Sequence, residues 1–179
     1  MKNMLIILTD FNGLKDEMWL ENYQHLLQKD FNCIVYDTQK LGEIACKGQS
    51  ETQIHQAFVN FGIQKAVDNL LKFHTEEYSI LGFSVGGTIA WKAALYNQRI
   101  SSLYAVSATR LRFETLKPAV KVNLSFGELD MHRPNPTWSH ELRVRSTIFE
   151  NANHEVYKNS DFCSLLCAQI IRQKSAGNF

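Results

Sequence analysis

A chain of 179 residues with 45% apolar side chains can fill one packed core and is short for two, so a single domain spanning 1–179 is expected. The 19 basic and 18 acidic side chains leave a net charge of +1, which gives no basic field for nucleic acid and no polybasic patch for a membrane surface. No apolar run approaches the ~20 residues of a transmembrane helix, and the short apolar stretch after Met1-Lys2-Asn3 is too brief for a secretory signal.

That stretch, Met4-Leu5-Ile6-Ile7-Leu8, is apolar without alternation, the pattern of a strand buried on both faces, and a strand is expected over 4–9. It breaks into Thr9-Asp10-Phe11-Asn12-Gly13, a turn sequence with an Asn-Gly pair. A helix is expected over 15–29 and a strand over 32–37. Ser50-Glu51-Thr52-Gln53 has the form of a capping box, so a helix starts there and runs to 73, interrupted near Gly62. Strands are then expected over 78–83, 101–107, 120–126 and 144–149, with helices over 86–97, 136–142 and 160–174. This alternation implies an α/β fold. Its form is a three-layer sandwich with a mostly parallel six-stranded sheet and helices on both faces. Sites on such sheets lie beyond the carboxyl ends of the strands.

Chemistry-bearing residues fall at those ends. Ile80-Leu81-Gly82-Phe83-Ser84-Val85-Gly86-Gly87 runs from an apolar strand into a helix-forming stretch through G-x-S-x-G, the sequence form of a nucleophile elbow. A serine hydroxyl attacks at neutral pH only when a base is within reach and donors await the developing oxyanion. The strand over 120–126 closes in Gly127-Glu128-Leu129-Asp130, which puts Asp130 just past its end with Glu128 as a nearby competitor. The strand over 144–149 is followed by Glu150-Asn151-Ala152-Asn153-His154. Of the other histidines, His25, His55 and His74 fall in helical stretches and His140 precedes the last strand. His132 is too close to Asp130 to act from a separate loop. The expected triad is therefore Ser84, Asp130 and His154, with His154 as base and Asp130 holding its tautomer. The amides of Val85 and of Phe11, two residues past the first strand, are the expected oxyanion donors.

These residues, in this order along nearly the whole chain, resemble the α/β-hydrolase-fold serine hydrolases. The segment from Thr9-Asp10-Phe11-Asn12-Gly13 to Met18-Trp19 is similar to that superfamily's His-Gly-aromatic loop, with Thr9-Asp10 standing where many members have His-Gly. The resemblance implies a truncated version of the fold, without the two leading strands or a cap domain, like the small esterase-like members.

The expected reaction is cleavage of a small-molecule ester or thioester through an acyl-enzyme on Ser84, without metal or organic cofactor. The connection over 107–118 is too short for a helical lid, so the site is expected to be open. Phe11, Trp19, Leu129 and His132 are then the candidates for substrate contact. The same triad serves acyl transfer to an alcohol or amine, and a hydrolase-like binding module without a formed site is a reading from a different class. Cys33, Cys46, Cys163 and Cys167 show neither zinc-site nor C-x-x-C spacing, so reduced thiols and a cytoplasmic location are expected. Nothing in the sequence fixes an oligomeric state.

Overall fold

The structure, a computed structural model, describes residues 2–15 and 18–175. Six strands, β1 (Asn3–Leu8), β2 (Phe31–Tyr36), β3 (Tyr78–Phe83), β4 (Ile100–Val106), β5 (Lys121–Gly127) and β6 (Ser146–Phe149), form one sheet in the order β2-β1-β3-β4-β5-β6. Every neighbouring pair is parallel. The helices are α1 (Met18–Leu27), α2 (Thr38–Leu41), α3 (Glu51–Ala57), α4 (Ile63–Phe73), α5 (Val85–Tyr96), α6 (Pro136–Glu141) and α7 (Ser160–Ser175).

The apolar run of β1 explains the layering. Leu5 and Ile7 point into a core shared with α1 and α7, while Ile6 and Leu8 point into the core under α4 and α5. All four side chains are fully buried, each worth roughly 1.5–3 kcal/mol against exposure. From β1 the chain first runs out to β2 and then returns to β3 on the other side. The order reverses at β1/β3, and a crevice opens there beyond the carboxyl ends.

Several local details differ from expectation. The helix expected from residue 15 is described from Met18 onward, and positions 16 and 17 lie outside the described residues. The capping box at Ser50 and Gln53 forms reciprocally, but the break near Gly62 is no break. Phe58–Gly62 is a widened π turn in which the Ile63 N–H donates to the Phe58 carbonyl, and the helix continues into α4. The four-residue α2 was not anticipated; the Asp37 carboxylate caps it by accepting from the N–H groups of Gln39 and Lys40. Strand β6 starts only at Ser146, because Arg143, in the left-handed region with φ 50°, lies in the turn that closes α6.

The connection from β4 to β5 makes a single 3₁₀ turn, Leu111–Phe113. Two indoles pin its far side: Trp91 Nε1 donates to the Leu116 carbonyl at 3.2 Å and Trp138 Nε1 to the Glu114 carbonyl at 2.8 Å. All four cysteines are free thiols. Among the described residues no helix is long and apolar enough to cross a membrane.

Candidate active site

Strand β3 is buried along its whole length and delivers Ser84 to the crevice, where α5 begins at the next residue. Ser84 has φ 50° and ψ −117°, a conformation that costs a non-glycine residue about 1–3 kcal/mol. It is held by its N–H, which donates to the Val106 carbonyl at 2.9 Å, and by the tight approach of strand and helix. A Cβ on Gly82 would strike the Gly86 backbone, and one on Gly86 would strike the Thr9 carbonyl, so the flanking glycines of the motif are steric requirements.

The loops after β5 and β6 bring the other two groups to this serine. The Glu128 N–H donates to the Phe149 carbonyl and the Leu129 N–H to the Ala152 carbonyl, both at 2.9 Å, which ties the two loops together. Gly127 permits the approach, since a Cβ there would overlap the carbonyls of Ala152 and Asn153. The result is a continuous chain. His154 Nε2 lies 3.0 Å from Ser84 Oγ, and His154 Nδ1 lies 2.9 Å from Asp130 Oδ2. A carboxylate can only accept, so Nδ1 carries the proton and donates to Asp130, leaving Nε2 as acceptor for the serine O–H. The Asp130 side chain is fully buried. Burial alone would raise its pKa. The hydrogen bonds from His154 and from the His132 N–H outweigh burial and hold the carboxyl below the usual range, so Asp130 stays ionised. Glu128, the competing carboxylate, faces outward and accepts from the Asn151 N–H at 3.0 Å.

The loop after β1 is clamped from α2. Thr38 Oγ1 donates to the Asp10 carbonyl at 2.6 Å, Gln39 Nε2 donates to the Phe11 carbonyl at 2.8 Å, and Asp37 Oδ2 accepts from the Leu14 N–H at 3.3 Å. Phe11 and Val85 both line the crevice, and among the described residues neither amide donates to a protein acceptor. Residues 37–39 thus orient the loop, a role with no signal in the sequence beyond the Asp-Thr cap.

Asp10 is buried in the same wall. It accepts from the Asn12 N–H at 2.9 Å and from the Tyr157 hydroxyl at 3.0 Å, which joins the β1 loop to the histidine loop. Burial pushes its carboxyl above the ordinary range despite these bonds and the nearby Lys158. The folded state therefore holds this proton more tightly than the unfolded chain. The resulting stability is present at low pH and is lost as pH rises from the ordinary carboxylate value toward the raised one. Asp10→Asn lacks this titration and keeps an acceptor for the Asn12 N–H. Thermal melts of both proteins between pH 7 and pH 4 should show the native protein gaining on the variant as pH falls. A gap that stays constant or closes with acid would contradict the assignment.

Around Ser84 lies a cavity of about 510 Å³. Its lining includes Phe11, His132 and Val85; Trp19 and Leu129 are not part of it, which corrects the expectation for those two. Trp19 is buried against the rings of Phe83 and Tyr157 in the layer of α1 and α7, because α1 turns that face toward the sheet. Leu129 points out to solvent, 61% exposed, while Asp130, the next residue, points in. One wall, which the sequence reading did not supply, is a helix face carrying Glu51, Thr52, His55, Phe58, Val59 and Ile63, running from α3 through the π turn to the start of α4. The spacing at three to five residues marks these positions as one face, but not as the face turned to a site. His132 packs its ring edge-on against His154 at 5.3 Å. Burial pushes the His132 imidazole below its usual value. Among the described residues no group of His, Cys, Asp and Glu is arranged to hold a metal ion.

No family sequence model and no curated protein matches the chain. Solved structures do. Alpha/beta hydrolase domain-containing protein 10 from mouse is similar with a TM-score of 0.72 at 10% identity, over 96% of this chain and 89% of its own. A protein of Xanthomonas campestris assigned to the alpha/beta hydrolase superfamily has a TM-score of 0.70 at 13% identity, over 96% of this chain and 99% of its own. A monoacylglycerol lipase of Paleococcus ferrophilus has a TM-score of 0.66 at 14% identity, over 96% and 95%. At such identities the likeness lies in the fold. The strand order, the elbow and these neighbours together make the chain a small protein of the α/β-hydrolase fold.

Proposed function

We propose that the chain is a serine hydrolase that cleaves a small ester or thioester through an acyl-enzyme on Ser84. The observation that carries this reading is the unbroken relay Ser84–His154–Asp130, with links of 3.0 and 2.9 Å, at the carboxyl ends of three strands. In the proposed reaction His154 Nε2 takes the Ser84 proton as Oγ attacks the acyl carbon. The imidazolium then rests on the buried Asp130 carboxylate. The tetrahedral oxyanion lies between the N–H groups of Phe11 and Val85, where one preorganised donor is worth ~3–4 kcal/mol. His154 returns the proton to the leaving oxygen or sulfur. Water, activated by the same imidazole, then releases the acid.

A fluorophosphonate probe should add once per chain, on the peptide holding Ser84, and intact-mass and peptide spectra read this directly. Absence of an adduct, or an adduct on another residue, would remove the proposal.

Substrate size follows from the cavity. Phe11, Phe58, Val59, Ile63 and Val85 give it an apolar compartment, and the β4–β5 connection pinned by Trp91 and Trp138 supplies no movable cover. Aryl esters of short and medium acids should therefore outrun the palmitate ester by about tenfold or more in kcat/KM, since chain beyond the compartment gains no burial. The rate should show no jump at the micelle concentration. Preference for long chains with interfacial activation would contradict the assigned compartment.

A further inference from the structure

Two arginines stand in the wall of the same cavity, and their surroundings bear on its substrate. Arg110 and Arg112 both line it, on the short connection after β4. Their guanidinium carbons sit 4.8 and 4.6 Å from the centre of the Phe113 ring. That ring holds both guanidiniums within cation–π distance, each contact contributing about 0.5–1 kcal/mol at an exposed site. Arg112 Nη1 also donates to the carbonyls of Thr109 and His132, at 2.6 and 3.0 Å, so the guanidinium bridges two loops of the site.

Among the described residues neither arginine meets a carboxylate. Among the described residues Lys65, Lys92, Lys158 and Lys174 each pair with a Glu or Asp within 3.5 Å, whereas no ion pair involves Arg110 or Arg112. The nearby acids are committed elsewhere. Glu114, on the same connection, holds Lys92 at 2.7 Å. Within the cavity wall, Glu155 holds Lys158 at 2.7 Å and Asp10 is bound to Asn12 and Tyr157. Glu51 alone in that wall has no such partner, and it is exposed on the first turn of α3, where a negative charge suits the helix dipole. The cavity therefore pairs an apolar compartment and a serine with two guanidiniums that have no counter-charge among the described residues.

Resting on the serine-hydrolase reading, we infer that the substrate carries an anionic group away from the reacting carbonyl, and that Arg110 and Arg112 bind it. A guanidinium is the side chain suited to this, because its fork matches the oxygens of a carboxylate or a phosphate. The apolar compartment takes the neutral segment. Phe113 keeps the two forks preorganised, so little side-chain entropy is lost on binding.

The test compares substrates that differ by one charged group. An aryl butyrate is set against the aryl half-ester of succinic acid, which places the anion in the acyl half. Butyryl-pantetheine is set against its 4′-phosphate, which places the anion in the leaving group. An aryl 4-(trimethylammonio)butyrate tests Glu51 as the recognition group instead. One anionic member should exceed its neutral partner by about tenfold in kcat/KM, mainly through KM, as expected for a charge-assisted contact. Which pair shows the effect tells the acyl side from the leaving-group side. The double variant Arg110→Gln/Arg112→Gln should bring that ratio to near one, and about 0.5 M salt should shrink it in the native protein. An unchanged ratio in the double variant, no anion preference in either pair, or preference for the cationic ester would overturn the inference.

Binding keeps it distinct from the catalytic reading. Calorimetry with succinamate and butyramide, and with phosphopantetheine and pantetheine, needs no turnover. Tighter binding of an anion, lost in the double variant, supports the inference even if no ester is cleaved. Equal or absent binding within both pairs overturns it even if neutral esters are cleaved.

Discussion

Ser84→Ala is expected to lower the turnover of a small activated ester by about 10⁴–10⁶-fold and to abolish the fluorophosphonate adduct, as loss of a triad nucleophile does in serine hydrolases of other folds. In the proposed mechanism the residual rate comes from the Phe11 and Val85 amides, which the substitution leaves in place. Folding should survive, because the hydroxyl has His154 as its only side-chain partner among the described residues and the Cβ is retained. A third measurement separates the serine's role from its geometry. Ser84→Gly is equally inactive but relieves a backbone held at φ 50°, ψ −117°. Strain of about 1–3 kcal/mol is then set against roughly 0.4–1 kcal/mol of added chain entropy in the unfolded state, so the glycine variant should melt above the alanine variant. Turnover near the native value in either variant would remove Ser84 from the mechanism. A lower melting temperature for the glycine variant would show the elbow to be unstrained.

Asp130→Asn should cost about 10⁴-fold in kcat with the fold intact. The amide can donate to His154 Nδ1, which places the imidazole proton on Nε2 and leaves nothing to accept from Ser84. Glu128→Gln should stay within about twofold, as for an ordinary exposed substitution. Its amide oxygen still accepts from the Asn151 N–H, the bond that Glu128 makes. Parallel kcat and KM measurements on both variants decide the matter. A larger loss from Glu128→Gln would mean that the buried carboxylate at 2.9 Å from Nδ1 is not the one that matters.

The parts of the site that could be read from the sequence are those that depend on chain order. Ser84, Asp130 and His154 each follow an apolar run, and a parallel sheet puts all such ends on one edge, so three distant positions converge without any knowledge of side-chain direction. Direction is where the reading failed. Trp19 lies close in sequence to the β1 loop, but it sits on the face of α1 that packs on the sheet's other layer. Leu129 and Asp130 are adjacent and point opposite ways. His55 and Phe58 belong to a helix with apolar residues on more than one face, and only packing decides which of them turns to the crevice. The clamp on Phe11 was hidden for another reason. It comes from a four-residue helix, too short to leave a periodic signal.

The π turn at Phe58–Gly62 has a consequence for how this site can vary. A turn closed from residue i to i+5 holds one residue more than an α turn. Each α-helical residue advances about 100° around the axis, so in an unbroken helix Ile63 would sit roughly 80° away from His55. The extra residue takes back most of that angle and returns Ile63 to the azimuth of His55 and Phe58, beside the cavity. Beyond it, Ala66, Val67 and Leu70 are brought to bear on the core. The helix thus keeps two sectors in phase, one facing the cavity and one facing the sheet. Exchanging Thr52, His55 or Val59 recuts the wall of the cavity and leaves the core alone. Adding or deleting a single residue between 51 and 62 rotates one sector against the other. The chemistry of this wall is free to drift by substitution, whereas its length is not.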